Sequence, residues 1–443
     1  MKRKTLILSF ILIVFIVSVL AGTLVGCSNI KSLFEVNATN LADYANFTYS
    51  NGDNKINFSL KASGEAWVKI SWDSAVVFNE IFLYESGNNV TGFEIYVNNE
   101  LVSSQDGIGK MRNVYVGTTT ATSVMVKVTS CKGTYKLTDI GIYNLSGNRD
   151  FHSTAFVRLN EEGDPFKDVD LSLIKNYTDY LIYPLVTFDS EGNLNVNGSE
   201  LAEVSQKFRS FNLSAKLNLV IIPRPAEGES DNDVRHNALK DHAEDLAKNI
   251  ARLLKGSGFD GAVLGFDFSF GENLFDYGTY NEFIEILRGE IMSPYEIGVF
   301  INPDALIFNK TAKRLIDNFY VITPNLNDNS KGTFSETVCE TLETLKDSDL
   351  PQSKTHLTIP FYSYDKENET LYKYCDYAEK LGKYGNTVTL DDGATLRFAG
   401  YTFVKDMTAF CYDYGIAGLL SVCPHYDVER DLSLASAIKE AMR

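Results

Sequence analysis

The sequence contains few cysteines, and none are spaced as a pair. Of six cysteines in 443 residues, Cys27 lies in the leader segment treated below, and no C-x-x-C motif occurs. The other five are an odd number at wide spacings, which argues against a disulfide framework and against a zinc site. We therefore expect buried free thiols at Cys131, Cys339, Cys375, Cys411 and Cys423.

The sequence also lacks the motifs of cofactor binding. It has no glycine-rich phosphate loop, no cluster of metal ligands and no nucleophile-elbow serine, so neither a cofactor nor a metal is implied. Basic residues are outnumbered by acidic ones, 41 to 58, and the formal net charge is −17. This charge argues against nucleic acid or an anionic membrane surface as the ligand. The length allows two or three domains with cores of their own.

The amino-terminal segment has the pattern of a targeting sequence. Lys2-Arg3-Lys4 precede an apolar run from Leu6 to about Leu20. The following Leu24-Val25-Gly26-Cys27 resembles the lipobox of bacterial lipoproteins, in which the cysteine is lipidated. The resemblance predicts a signal peptide over residues 1–27, lipidation of Cys27, a tether over 28–38 and an extracytoplasmic location, lipid-anchored to the bacterial cell membrane. The alternative is an uncleaved transmembrane anchor.

Short alternating runs between turn residues predict an all-β sandwich over residues 39–147. The predicted strands cover 67–72, 80–84, 93–97, 114–116, 123–128 and 137–143. Their order resembles discoidin-like domains, which include family 32 carbohydrate-binding modules. The resemblance implies a ligand bound through variable loops, and the alternative is a spacer. Tyr49, Trp72 and Tyr115 are candidate stacking residues, although a core position is the expected one for each.

Residues 151–443 alternate between strand and helix patterns, and their length suits one (β/α)8 TIM barrel. The fold class is therefore α/β, with the barrel preceded by the sandwich. A single long helix is predicted over 233–254. The eight predicted barrel strands cover 154–159, 180–188, 215–222, 259–268, 296–301, 319–323, 356–361 and 417–422.

The run from Gly258 to Ser269 resembles the fourth strand of glycoside hydrolase family 18, the chitinase-like barrels, whose signature is D-G-x-D-x-D-x-E. Asp260 and Gly261 match its opening. The run Thr358-Ile-Pro-Phe-Tyr-Ser resembles the family's seventh strand, and Gly415-Ile-Ala-Gly-Leu-Leu its last strand. The resemblance implies a barrel with its site at the carboxyl ends of the strands.

The same resemblance implies that the catalytic residues have been replaced. Family 18 uses a glutamate as general acid, while the acetamido group of the substrate attacks the anomeric carbon. The acid position falls on Asp267, and the two inner aspartates fall on Val263 and Gly265. The sixth-strand tyrosine falls on Pro324 and the tryptophan floor on Val422. Because an error of about 1 Å in a reacting group can cost about 10²-fold in rate, we expect lost or strongly reduced hydrolysis.

Other carboxylates could restore the chemistry. If the barrel is active, the predicted catalytic residues are Asp267 as general acid and Glu272 as a rescue carboxylate on the following loop. Asp365, Asp328 and His425 on other loops of the same face are further candidates. Asp260 is expected to form hydrogen bonds at the strand entrance. The predicted binding residues, with no metal ligand among them, are Asp260, Asn325, Tyr362 and Asp365.

Three functions are consistent with these features. The first is a cell-surface lipoprotein, a pseudoenzyme whose barrel binds glycans of the GlcNAc type or related ones. The second is a divergent glycosidase that uses Asp267 with a second carboxylate. The third is a protein-binding scaffold without a sugar ligand. The expected partners are a carbohydrate and, through the lipid anchor, the membrane.

Overall fold

The structure, a computed structural model, describes residues 38–50, 57–59, 66–147, 150–160, 163–196, 198–265, 277–301, 308–322, 334–365 and 368–442. The chain divides into two compact units, Met1–Leu145 and Ser146–Arg443. Within the described ranges, no helix is both long and apolar enough to span a membrane. The predicted signal peptide, Cys27 and most of the tether lie outside these ranges.

The first unit is one antiparallel sheet of seven strands. In space the order is β2-β7-β3-β6-β4-β5, and β1 pairs with β3. This sheet agrees with the predicted β-rich domain. The strands are β1 Asn46–Tyr49, β2 Asn57–Ser59, β3 Ala66–Ser86, β4 Val90–Val97, β5 Glu100–Gln105, β6 Met111–Cys131 and β7 Thr134–Tyr143.

Two of these strands are much longer than predicted. The runs 67–72 and 80–84 belong to β3, and 114–116 and 123–128 belong to β6, each 21 residues long. Irregular register between Ser71 and Val76 and between Phe78 and Glu80 bends the pair, so that both halves of β3 contribute to one apolar core. The indole of Trp72 is buried there and donates to the carbonyl of Leu41 at 2.9 Å, which makes it a core residue.

The second unit is a closed barrel of eight parallel strands with helices between them. The strands are β8 His152–Arg158, β9 Asp179–Phe188, β11 Lys216–Pro223, β12 Gly261–Leu264, β13 Glu296–Ile301, β14 Asn318–Val321, β15 Thr355–Pro360 and β20 Gly418–Val422. Short strands form antiparallel pairs in addition to the barrel, β10 with β9, β16 with β17 and β18 with β19. They are β10 Leu194–Val196, β16 Tyr362–Asp365, β17 Thr370–Lys373, β18 Thr387–Thr389 and β19 Thr395–Arg397. The helices are α1 Leu171–Ile174, α2 Gly198–Phe211, α3 Asp231–Lys240, α4 Ala243–Ser257, α5 Tyr277–Glu290, α6 Lys310–Leu315, α7 Phe334–Asp347, α8 Ala378–Leu381, α9 Tyr401–Asp413 and α10 Leu434–Ala441.

The barrel closes because β8 pairs in parallel with both β9 and β20. The predicted TIM barrel is thereby confirmed, and each predicted strand overlaps one of its eight strands. Side chains alternate between the helices and the barrel interior. The inward set packs into one apolar cluster, which consists of Phe156, Leu181, Val220, Val263, Phe300, Tyr320 and Leu420.

The prediction of one helix over 233–254 is wrong, because α3 and α4 are separate helices. Ser230 caps α3 through a reciprocal capping box with Asp233. The chain leaves the helical conformation at His242 (φ −128°, ψ 21°), and acidic residues fill the first turn of α4. The apolar spacing continues across this break, so hydrophobic periodicity alone does not reveal it.

Candidate functional site

Asp260 lies at the amino-terminal end of β12, away from the face where barrel enzymes bind ligands. Its carboxylate pairs with Arg209 at 2.5 Å and accepts the backbone N–H of Leu217 at 2.8 Å. Asp317, the residue before β14, makes the equivalent two contacts: an ion pair with Arg288 and a hydrogen bond from the N–H of Ile297. Asp260 therefore ties two strand entrances to a helix, as expected, and this position does not support the predicted role in ligand binding.

The lower end of the barrel contains a chain of polar groups, of which His356 and Asp179 are buried. Nε2 of His356 lies 3.1 Å from Oδ1 of Asn318, whose amide donates to Glu296 at 3.2 Å. Glu296 also pairs with Lys216, and His152 lies 2.7 Å from Asp179. These contacts lie at the end of the barrel opposite the expected ligand face, and Nδ1 of His356 is buried there without a hydrogen-bond partner. We assign the contacts to stability.

The histidines of the barrel predict a loss of stability in acid. Burial lowers the pKa of His356 to about 3, and burial together with the charge of Lys373 lowers that of His425 to about 4. The unfolded chain takes up these protons near pH 6.5 and the folded barrel does not, so stability falls as the pH drops below about 6.5. The pKa shift of His152 has the opposite sign, because a hydrogen bond to Asp179 raises the pKa of this side chain. The contribution of His152 to folding stability therefore persists in acid.

We expect each of His356 and His425 to contribute a slope of about 1.4 kcal/mol per pH unit between about pH 6 and pH 4.5. Urea denaturation across this range measures the slope, and His356→Gln should reduce it by about that amount. His236→Gln, on the exposed side of α3, is the matched control and should leave it unchanged. An equal slope in His356→Gln and the parent protein would contradict this assignment.

Val263 of β12 and Gly265 just after it, which the resemblance places at two aspartate positions of family 18, carry no acidic side chain. Val263 is 1% exposed and belongs to the apolar barrel cluster, where it packs beside Gly298: a Cβ atom added there would lie 2.9 Å from Cγ2 of Val263. Gly265, two residues on, has no side chain. The predicted residues Asp267, Glu272, Asn325 and Asp328 lie outside the described residues.

Aromatic and basic side chains meet at the carboxyl ends of β15 and β20. We call Tyr362, Lys373, His425 and Tyr426 the tyrosine rim. The ammonium of Lys373 lies 4.8 Å from the centroid of the Tyr426 ring, and the His425 and Tyr426 rings are 4.3 Å apart. Burial raises the pKa of Tyr362 to about 12, so its hydroxyl stays protonated and can donate a hydrogen bond.

Two predicted residues lie near this rim in different ways. Tyr362 opens β16 directly after Phe361, whose N–H donates to Val422 at 3.0 Å. Asp365 ends β16, and its carboxylate accepts the side-chain amide of Asn368 at 2.7 Å. Tyr362 therefore lies at the top of the barrel, whereas Asp365 stabilises the turn between β16 and β17.

Sequence reasoning missed Arg158, Lys373 and Tyr426. Alternation along β8 could have found Arg158, because Phe156 faces the barrel interior and Arg158 lies two residues further on. Lys373 and Tyr426 are about fifty residues apart in sequence, so no local sequence pattern predicts their contact.

The closed parallel barrel of eight strands, with helices between them, defines a TIM barrel. Among solved structures it is similar to a GH18 chitinase from the chitin utilization locus of Flavobacterium johnsoniae (14% identity, 67% of this chain and 94% of that chain, TM-score 0.54). It is also similar to a chitinase from Bacteroides thetaiotaomicron (13%, 66% and 96%, 0.54) and a class V chitinase from Nicotiana tobaccum (12%, 66% and 99%, 0.51). At these identities the likeness establishes the fold.

No protein-family model matches this sequence, and a search of curated proteins finds no match.

Proposed function

We propose that this protein binds glycans at the carboxyl-terminal face of its barrel and has lost most or all hydrolytic activity. The observation that carries the proposal is the composition of β12. In a fold shared with chitinases, the positions of two mechanistic aspartates hold Val263, packed into the apolar cluster, and Gly265. A carboxylate that orients an acetamido group therefore has no place on this strand.

The tyrosine rim supports glycan binding. Sugar rings present apolar faces that stack on aromatic side chains, while hydroxyl groups take up hydrogen bonds at the edges. Tyr426 offers a partly exposed ring, and Tyr362 offers a protonated hydroxyl beside it. The chitinase fold of the neighbours supports a carbohydrate ligand at this same face.

A second part of the proposal concerns the location of the protein and the role of its amino-terminal region. The lipobox-like sequence supports a lipoprotein anchored at Cys27 outside the cytoplasm, where glycans are available. The first unit is proposed to be a discoidin-like domain that assists binding or raises the barrel above the membrane. Its antiparallel sheet, with strands bent around one core, is compatible with that domain type.

Turnover and binding assays on a panel of β-linked oligosaccharides, chitooligosaccharides included, test the proposal. The full-length protein in detergent should bind at least one oligosaccharide, and no product should form at any pH between 4 and 8. The variant Asp267→Ala should bind as the parent protein does.

The other functions predict different results. Cleavage that disappears in Asp267→Ala would show an active glycosidase with a rebuilt site. Failure to bind any glycan would favour a protein-binding scaffold. Tyr426→Ala should weaken glycan binding by about 1–3 kcal/mol. Stacking of other flat ring systems, such as nucleic-acid bases, on aromatic side chains contributes free energies of this order.

A further inference from the structure

We propose that the carboxyl-terminal face of the barrel selects glycans that carry a carboxylate or sulfate group. This inference rests on the proposed glycan-binding function and names the chemical class of its ligand. Its basis is a set of basic side chains, Arg158, Arg224 and Lys373, at the carboxyl ends of the strands. Throughout the described ranges, none of the three forms an ion pair.

Arg158 is placed by the alternation of β8. Phe156 belongs to the apolar cluster inside the barrel, so Arg158, two residues further on, lies on the same side of the strand. Arg158 is exposed at the strand end and stands opposite Tyr183 of β9, whose ring stacks on Phe156 at 5.6 Å. Arg158 and Tyr183 are therefore neighbours in the register of two strands at the mouth of the barrel.

The same guanidinium is close to the tyrosine rim. The N–H of Cys423 donates to the carbonyl of Phe156 at 3.1 Å, which joins the end of β20 to the end of β8. The charge of Arg158 opposes the rise in pKa that burial causes in both the Cys423 thiol and the Tyr426 hydroxyl. Arg158 and Lys373 thus act on one aromatic ring, that of Tyr426.

Arg224 extends the basic surface across the next strand pair. Val220 lies in the apolar cluster and Ile222 packs against it, so the alternation of β11 brings Arg224 to the same side. Its N–H donates to Phe188 at 2.8 Å, which continues the ladder beyond Pro223, and its side chain is exposed. β9 separates β8 from β11, and Arg158 pairs with Tyr183 of β9 whereas Arg224 follows Pro223, which pairs with Phe188 five residues further on. Arg158 and Arg224 are therefore well separated and would contact different sugar units.

The arginines at the opposite end of the barrel show the contrast. Arg209 and Arg288 each pair with an aspartate, as expected in a chain with a net charge of −17. At the upper face, the carboxylate of Asp189 accepts N–H groups of its own loop, and that of Glu229 accepts the hydroxyl of Ser190 and the N–H of Ala226. The exposed Asp168 is the acid whose charge reaches His425 and Tyr426.

This arrangement is complementary to an anionic sugar. The planar guanidinium donates two parallel N–H groups to a carboxylate or sulfate, and such charged hydrogen bonds are stronger than those to hydroxyl groups. Tyr183, opposite Arg158, and Tyr426, beside Lys373, provide aromatic surface for sugar rings. A neutral oligosaccharide would leave the guanidinium groups without an anionic partner.

Calorimetric titration of the full-length protein in detergent at low salt tests the inference. The probes are a hyaluronan hexasaccharide, the same hexasaccharide with its carboxylates reduced to alcohols, and chitohexaose. Hyaluronan should bind about tenfold more tightly than its reduced form. Chondroitin hexasaccharides with and without sulfate distinguish a sulfate ligand from a carboxylate ligand.

Variants assign the selectivity to the proposed residues. Arg158→Gln should remove most of the preference for hyaluronan over its reduced form, with little change in affinity for the reduced form. Arg224→Gln provides an independent second variant, and Arg252→Gln, exposed on α4, should leave the preference unchanged. Equal affinity of the parent protein for both hexasaccharides would overturn the anion selectivity and leave the glycan function intact. Absence of binding to every oligosaccharide would refute the proposed function itself.

Discussion

Replacing Gly418 with alanine is expected to destabilise the barrel unit by about 3 kcal/mol. Gly418 begins β20 and pairs with His152 of β8 on one side and His356 of β15 on the other. A Cβ atom at this position would overlap the carbonyl oxygen of His152 and lie 2.8 Å from Nδ1 of His356. One contact is with backbone and the other with a ring held at Asn318, so neither neighbour can move aside cheaply.

Urea denaturation at pH 7, followed through the transition of the barrel unit, measures this effect. Gly256→Ala is the matched control, because Gly256 lies within α4 and an added Cβ atom meets nothing within 4 Å. Alanine should stabilise that helix by up to about 1 kcal/mol. If both variants were as stable as the parent protein, the inference that Gly418 has no space for a side chain between β8 and β15 would be wrong.

Restoring an acidic residue in Val263→Asp should destabilise the barrel without restoring hydrolysis. The side chain would enter the apolar cluster beside Phe300 and Tyr320, where no described residue offers it a cationic partner. A buried carboxyl in such a site is forced into its neutral form. Protonating a group of pKa 3.9 at pH 7 costs about 4 kcal/mol, in addition to the loss of apolar packing.

The pH dependence separates these two costs. The destabilisation by Val263→Asp relative to the parent protein should be smaller at pH 4 than at pH 7 by up to about 4 kcal/mol. Val263→Asn has the same shape without the charge, and its destabilisation should not vary with pH. A turnover assay on the same variant completes the test: hydrolysis of chitooligosaccharides by Val263→Asp would refute the proposal that this strand has no room for the chemistry.

The barrel could be predicted well because its signals are local. Each parallel strand is an apolar run bounded by turn residues, and burial on both faces makes such runs continuous in the sequence. β13 was predicted at its observed bounds, Glu296–Ile301. The break between α3 and α4 was missed because the stripe that includes Leu239 and Leu246 continues on both sides of it.

The candidate site could be predicted only in part. Tyr362 follows a recognisable strand and lies at the expected end of the barrel. Asp260 forms the expected hydrogen bonds at the strand entrance, yet these bonds hold it at the end of the barrel away from the ligand face. The length of β3 was hidden because its bend, near Trp72, interrupts the alternation that identifies a strand.

The sequence by itself determined the class of fold and the order of its strands, and it predicted that Val263 and Gly265 stand at two aspartate positions, since these depend on residue identity and local spacing. Only the tertiary structure decided which polar groups pair. It brought Lys373 to Tyr426 and Arg158 to the same rim, and neither cation forms an ion pair in the described part of the chain. The physical reason is that strand pairing and closure of the barrel join residues far apart in sequence, whereas sequence patterns report on neighbours within a few turns or strand steps.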